Sequence, residues 1–399
     1  MIDYLDVFKG FKIKLNEPLA PFTTWKIGGP AEVLIQSKNS QQLFEIVKIC
    51  LKNNLKWTVL GKGSNVLISD QGLSGVVIIN QSKNIQTLNQ NSNLDINLKE
   101  IILDSQKYDY QSPYVEPRHT ETGDTNFYTF KDLDFKEKGS KVTVKMDSGV
   151  FLPLAISWTL KNGLTGLQWF SGIPGSIGGS LYNNIHGGTH HFSEYFQLAK
   201  VLIPTTDTEA ITRLQELLLK QQDSDFQNNS KNLTKNTILT QEENFILALV
   251  NFDFFNFGYD QSFLRRKNNQ VLVLEVYLNL FQADEEQLQK AKNTASEWAK
   301  RKKIQPKKSC GSVFQALSED IQKKLNYPTP SAGYIVDKIL NLKGFELGGA
   351  KIADQHANFI INNKDAKASE VLAIIQKIQK EAKSKTGVDL ELEINLLGF

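Results

Sequence analysis

The sequence has 399 residues, 46 Lys plus Arg against 43 Asp plus Glu for a formal net charge of +3, 40% hydrophobic residues and two cysteines. At roughly 150 residues per domain this length predicts two or three globular domains, and the composition excludes a disordered chain or a disulfide-stapled miniprotein. The small net charge gives no reason to expect nucleic acid, and the distant pair Cys50 and Cys310 supports neither a thiolate metal cluster nor a disulfide framework, which fits a reducing compartment.

Residues 1–11 show neither a basic leader nor a cleavable apolar stretch, and no run approaches the ~20 apolar residues of a membrane span, so a cytoplasmic protein without membrane insertion is expected. Residues 31–35 read as a strand. A helix follows, with Ser40 as its cap and Leu43, Ile46, Val47, Cys50 and Leu51 on one face. Cys50 is then a packed core thiol. Residues 57–60, 66–68 and 76–79 read as further strands joined by glycine-bearing turns. From residue 80 to about 140 the chain turns polar and irregular, as it does again over residues 221–235; both stretches read as solvated excursions.

Residues 141–146 return to strand alternation, 152–160 to a helical pattern and 245–250 to a strand. Residues 283–303 predict a helix with Leu288, Ala291, Ala295 and Trp298 as its apolar stripe, acidic residues near its start and Arg301, Lys302 and Lys303 near its end, as the helix dipole favours. A second helix is predicted over 366–385, buried through Val371, Ile374, Ile375, Ile378 and Ala382 and stopped by Gly387. Acidic and apolar residues then alternate over 388–397, which predicts a final strand with Glu391 and Glu393 on the same face.

Three glycine clusters punctuate this pattern, at residues 27–29, 60–65 and 171–179. Such density permits positive φ and close backbone approach, so successive N–H groups can converge on phosphate oxygens, with Ser64 and Asn65 adding side-chain donors. None matches the dinucleotide fingerprint or the triphosphate loop. In combination, two clusters in separate regions point to a diphosphate gripped from two sides. The five histidines show no zinc-ligand spacing, so no metal is expected; His356 reads as a core residue, and Cys310 has no base identifiable beside it.

The separated stretches Thr23-Thr-Trp-Lys-Ile-Gly-Gly29, Leu60-Gly-Lys-Gly-Ser-Asn-Val-Leu67 and Gly163-Leu-Thr-Gly-Leu-Gln-Trp-Phe-Ser-Gly-Ile-Pro-Gly-Ser-Ile-Gly-Gly179 are followed by Phe257-Gly-Tyr259, Ser309-Cys-Gly-Ser-Val-Phe-Gln315, Gly348-Gly-Ala350, His356-Ala-Asn-Phe-Ile360 and Leu390-Glu-Leu-Glu393. In this order they resemble the UDP-N-acetylenolpyruvoylglucosamine reductases (UDP-N-acetylmuramate dehydrogenases), and they cover most of the chain outside the two polar stretches. The resemblance implies an α+β protein with a two-domain FAD-binding module of the vanillyl-alcohol-oxidase-like (PCMH-type) class and a substrate-binding α+β domain. The corresponding expectation is FAD-binding subdomains at 1–80 and 81–280, the second with a polar insertion, a substrate-binding domain at 281–386 and a C-terminal strand at 387–399. It implies FAD and NADPH as cofactors and reduction of UDP-N-acetylenolpyruvylglucosamine in peptidoglycan precursor synthesis, with no protein partner predicted.

Carried over residue by residue, the resemblance places Gly61, Lys62, Gly63, Ser64 and Asn65, with Gly172, Gly175, Ser176, Gly178 and Gly179, around FAD. Ser312 matches the proton donor and Glu393 the second catalytic group; Tyr259, Lys303 and Gln315 fall on the substrate side. A serine needs neighbours or a water path that favour transient loss of its proton. Lys302 adjoins Lys303, and Glu391 shares a predicted face with Glu393, so spacing alone leaves each pair open. The sequence departs from the family at two places. Asp260 stands where an Arg normally follows Phe-Gly-Tyr, and Arg265 or Arg266 is the nearest replacement. His186 stands in the loop after Asn184, where it would contact flavin or substrate or serve the structure. Besides the reductase, the expectations are a related FAD oxidoreductase with another substrate and a flavin-binding protein without turnover.

Overall fold

Aliphatic side chains bury Pro30–Ser37 and Leu73–Asn80 in the middle of a four-stranded sheet, described here from a computed structural model that covers residues 2–88, 135–188, 190–223, 237–265 and 270–399. Most of the two polar stretches and Arg266 lie outside the described residues. The sheet order is Ile13–Pro18, Pro30–Ser37, Leu73–Asn80, Trp57–Leu60, with one antiparallel pair followed by two parallel ones. The helix Ser40–Lys52 makes the crossover and buries Leu43, Ile46, Val47 and Cys50. Its cap is Asn39 rather than Ser40. Asn39 has the extended backbone a cap requires and accepts from Gln42 N–H at 2.8 Å, while the Ser40 hydroxyl donates to Glu275.

A larger antiparallel sheet runs Ile238–Glu242, Phe245–Val250, Phe196–Pro204, Leu272–Gln282, Lys141–Asp147, Ile85–Thr87. The helices Leu152–Lys161 and Ile177–Asn183 pack into its core through Leu152, Ala155, Ile177 and Leu181. Leu202, Phe245, Leu272 and Leu274 from this sheet join Phe8, Val33, Ile35 and Val47 in one apolar cluster, so the two sheets share a buried face. The helix Glu285–Lys303, capped by Asp284 on Gln287 N–H, lies against the turn Leu167–Phe170 of this second unit.

The C-terminal unit holds the three strands Glu346–Leu347, Ala350–Ile352 and Ile360–Asn362 and the helix Ala368–Thr386, stopped by Gly387 in the left-handed conformation. Trp25, Ile27 and Leu67 from the beginning of the chain belong to its core. The buried Trp25 donates its Nε1–H to Ile360 O at 2.6 Å, and Asn362 donates back to Trp25 O at 3.0 Å. Asp70 accepts from Ala368 and Ser369 N–H, so a residue of the first unit satisfies the opening amides of this helix.

The strand expected over 388–397 is shorter. Only Asn395–Leu397 is a strand, and it pairs in parallel with Val66–Ile68. Upstream, Glu391 O accepts from Gln315 N and Glu393 N donates to Val313 O, so this backbone is committed to the loop after Ser312 rather than to a regular ladder. Glu391 and Glu393 consequently do not share an environment: Glu391 is exposed and Glu393 half-buried. The α+β class expected from the sequence is the class observed. Among the described residues, no helix is long and apolar enough to cross a membrane.

Trp25→Phe keeps most of the buried ring but leaves the Ile360 carbonyl without its indole donor. We expect a loss of about 1–3 kcal/mol in folding stability, read from the midpoint of denaturant unfolding.

Candidate active site

A cavity of about 1860 Å³ opens where the three units meet, lined by residues of both later glycine clusters together with Lys302, Ser312 and Glu393. A typical single-ligand pocket holds roughly 300–1,000 Å³, so this space accommodates a dinucleotide and a second ligand together. The two clusters face each other closely. A Cβ on Gly61 would lie 2.4 Å from Ser176 Oγ, and one on Gly175 would lie 3.6 Å from Ser64 Oγ. Gly63 needs to be glycine on two counts, a φ of +57° and a Cβ position 2.3 Å from Phe22 O. The second loop is anchored by Leu152 N–H to Gly175 O, Ile177 N–H to Val150 O and Gly178 N–H to Ser148 O at 2.7 Å. Ser176 caps the helix Ile177–Asn183 by accepting from Gly179 N–H.

The first glycine cluster has a different task. Gly28 and Gly29 do not line the cavity, and a Cβ on Gly29 would fall 2.2 Å from Asp70 O; this turn is a packing contact. Lys62 lines the cavity, with its ammonium 5.2 Å from the Phe151 ring centroid. Asn65 is there too, but its Nδ2 donates to Asn183 Oδ1 and to Glu393 O, each at 3.0 Å, so its amide joins protein segments to one another.

Gly311 with φ +81° turns the chain so that Ser312 also lines the space, next to Cys310, whose sulfur lies 3.4 Å from the Oγ1 of Thr24, the residue that donates its N–H to Gly63 O. Phe314 N–H and O are bound by the Asn358 side chain at 3.0 and 2.8 Å, and Val313 O accepts from Glu393 N–H at 2.8 Å. Ser312 and Glu393 therefore sit on two backbone segments bonded directly to each other. Burial, and next the charge of Asp260, drive the Glu393 carboxyl well above the ordinary carboxylate range, against the opposing pull of His186, Arg265 and Lys302. Cys310 donates to Val66 O at 3.4 Å, and burial lifts its thiol to about 11, which makes it an inert packing group.

Of the expected substrate-side residues, Lys303 reaches the cavity rim but is exposed, whereas Lys302 is half-buried beside Glu393 and Asp260. Burial lowers the Lys302 pKa, and those two carboxylates partly restore it. Helical register explains the difference: Lys302 follows the buried Trp298 by four positions and shares its face, while Lys303 is turned away. Tyr259 is not among the cavity-lining residues; its ring stacks on His186 at 5.1 Å. Gln315 also lies behind the wall, donating to Leu392 O at 3.1 Å. Asp260, His186 and Arg265 all line the cavity, and Arg265 reaches back to donate to the carbonyls of Asp260 and Glu393 at 2.7 and 2.9 Å. Among the described residues no group of acidic, His or Cys side chains has the arrangement of a metal site, and His356 is occupied in accepting from Asn358 N–H.

A sequence model described as UDP-N-acetylenolpyruvoylglucosamine reductase, C-terminal domain, matches residues 304–397. The UDP-N-acetylenolpyruvoylglucosamine reductase of Bacillus velezensis is 30% identical over 97% of this chain and 94% of its own length. The chain belongs to the UDP-N-acetylenolpyruvoylglucosamine reductase family. The Bacillus subtilis reductase is 29% identical with the same coverage. The crystal structure of the reductase from Thermus caldophilus has the same fold, with a TM-score of 0.58 and 21% identity over 97% of this chain and 98% of that one.

Sequence reading missed Asn183, Tyr182 and Asn395 on the cavity lining. Asn183 had a readable signal, its place immediately before the Asn184 turn that ends the helix opened by Ser176. Asn395 had none, because its role arises from a parallel pairing between segments more than three hundred residues apart.

Glu393 makes stability depend on pH. Its carboxyl rises from 4.5 in the unfolded chain to about 8, so the stabilisation associated with its proton is complete below 4.5 and is lost as pH rises through the higher value. Thermal melting across this interval should show a falling midpoint in the wild type and a flatter profile in Glu393→Gln.

Proposed function

We propose that this protein reduces UDP-N-acetylenolpyruvylglucosamine to UDP-N-acetylmuramate with NADPH, using FAD, as a cytoplasmic step of peptidoglycan precursor synthesis. The observation that carries this reading is the shared cavity, lined by two mutually facing glycine loops and, bonded to the first of them through Asn65, by the paired backbone segments that carry Ser312 and Glu393. The residues fit a flavin dinucleotide. Gly61, Lys62, Gly63 and Ser64 from one loop and Gly172, Gly175, Ser176, Gly178 and Gly179 from the other would hold its diphosphate through backbone and hydroxyl donors; a side chain at Gly61 would intrude between the loops, and one at Gly63 or Gly178 would push its loop off the backbone of Phe22 or Ser148 behind it. Bound there, FAD supplies the hydride chemistry between NADPH and the enolpyruvyl group.

The chain's own residues handle charge and protons. Ser312 hands a proton to the substrate carbon beside the one reduced, and Glu393, kept protonated by burial, replenishes or shares that proton. Lys302, with Lys303 at the rim, meets the substrate's anionic groups. Tyr259 and Gln315 act from behind the wall, Tyr259 through its stack on His186 and Gln315 by holding the backbone at Leu392. In this reading the units 1–80 and 81–280 hold the cofactor and 281–386 with 387–399 closes over the substrate.

A second reading, a related FAD oxidoreductase with another substrate, is favoured by Asp260, which adds a carboxylate to the wall an acidic substrate would face. Anaerobic reduction by NADPH followed by addition of UDP-N-acetylenolpyruvylglucosamine separates the two. Prompt reoxidation supports the reductase; reduction with no response to this substrate supports the second reading, and failure to accept electrons from NADPH points to binding without turnover. In Ser312→Ala, reduction by NADPH should keep its wild-type rate while turnover falls about 10²–10⁴-fold, the range typical of a lost proton-transfer group.

A further inference from the structure

Asp260 places a carboxylate on the cavity wall near Glu393, and by itself it would repel an acidic ligand. It is not left by itself: His186 Nδ1 lies 2.7 Å from Asp260 Oδ1, and both residues line the cavity. The pair is rigidly framed. Arg265 donates to Asp260 O at 2.7 Å, and Asn184 Nδ2 donates to Gly258 O at 2.8 Å, which fastens the turn carrying Asp260 to the loop carrying His186. Tyr259 covers the imidazole with an interplanar angle of 27°. Asp260 itself adopts a left-handed φ of +50°, uncommon for a residue other than glycine and found where surrounding structure over-determines the backbone.

These contacts sort the cations of the wall. Arg265 directs donors to the carbonyls of Asp260 and Glu393. With Nδ1 taken by Asp260, the His186 ring has Nε2 left for a ligand, and among the described residues no hydrogen bond engages that nitrogen. Beside Asp260 and Glu393, His186 therefore joins Lys302 and the remaining N–H groups of Arg265 as a donor that can meet an anion, with Lys303 farther out on the lining. We propose that His186, oriented by Asp260, is a second cationic contact for the carboxylate of the enolpyruvyl group, an inference that rests on the function proposed above.

The surrounding groups favour the charged ring. Burial pulls the His186 pKa down, but the charge and hydrogen bond of Asp260, helped by Glu393 and opposed by Lys302, carry it above the ordinary 6.5. His191, with its ring centroid 6.1 Å away, is shifted the other way by burial and by His186. The contact weakens as pH rises through the elevated His186 value. Without Asp260, that loss moves to lower pH.

The test is calorimetric binding to the oxidised, FAD-loaded enzyme without NADPH, comparing UDP-N-acetylenolpyruvylglucosamine with UDP-N-acetylglucosamine, which lacks the enolpyruvyl carboxylate. His186→Gln should weaken the first ligand by about tenfold to a hundredfold, the scale of a charge-assisted hydrogen bond, and leave the second within about twofold. Asp260→Asn should shift the pH at which the preference for the first ligand fades to lower values. Equal effects of His186→Gln on both ligands, no effect on either, or an unmoved pH dependence in Asp260→Asn would overturn the inference. Wild-type enzyme that binds both ligands equally overturns the functional reading and this inference with it.

Discussion

The side chain of Asn65 draws three distant parts of the chain to one point. Its Nδ2 donates to Asn183 Oδ1 and Glu393 O, while the backbone carbonyl of the same residue accepts from the backbone and side chain of Asn395. Asn65 ends the first cavity-lining glycine loop, Asn183 lies at the end of the helix opened by the second, and Glu393 carries the buried carboxyl. The Asn65 amide thus ties both glycine loops to the segment carrying Glu393, next to the parallel pairing of Val66–Ile68 with Asn395–Leu397. Because Glu393 O also accepts from Arg265 and Glu393 N–H is bound by Val313 O, the position of this residue is over-determined from both sides.

That rigidity gives the electrostatics their force. Asp260, Glu393, Lys302, His186 and Arg265 share one partly enclosed wall, where charges interact more strongly than in bulk water. Burial and the charge of Asp260 raise the Glu393 carboxyl; burial lowers Lys302, and Glu393 and Asp260 only partly offset that. The glycine loops offer space and backbone dipoles, which would let them hold an anionic group with little reorganisation.

Much of this was readable from residue types and spacing. The helix Ala368–Thr386 buries its whole predicted stripe, while Glu285–Lys303 buries Ala291 and Trp298 of its stripe together with Thr294 and leaves Leu288 and Ala295 half-buried. Glycine density announced three clusters without choosing among them; the pairing of the two later ones came from the family resemblance. The first cluster looked the same and proved to be a packing turn, for its purpose depends on Asp70, a contact outside its own neighbourhood. Ser40 was displaced by Asn39 as a cap by one residue, the usual scale of ambiguity at a helix end. The separation of Glu391 from Glu393 was not legible, because alternation assumes a regular strand and the loop after Ser312 takes the hydrogen bonds instead. The pairing of His186 with Asp260 joins residues 74 apart, and no local pattern announces it.

The central claim is that one junction at Asn65 couples the cofactor cradle to the reacting end. The most direct measurement is FAD titration of the apo-protein followed by anaerobic NADPH reduction and substrate-driven reoxidation, for wild type and Asn65→Ala. The account predicts one FAD per wild-type chain, affinity weaker by about tenfold or more in Asn65→Ala, and slower reoxidation in that variant even at saturating FAD. A folded Asn65→Ala protein that binds FAD as tightly as wild type and reoxidises at the wild-type rate would contradict it.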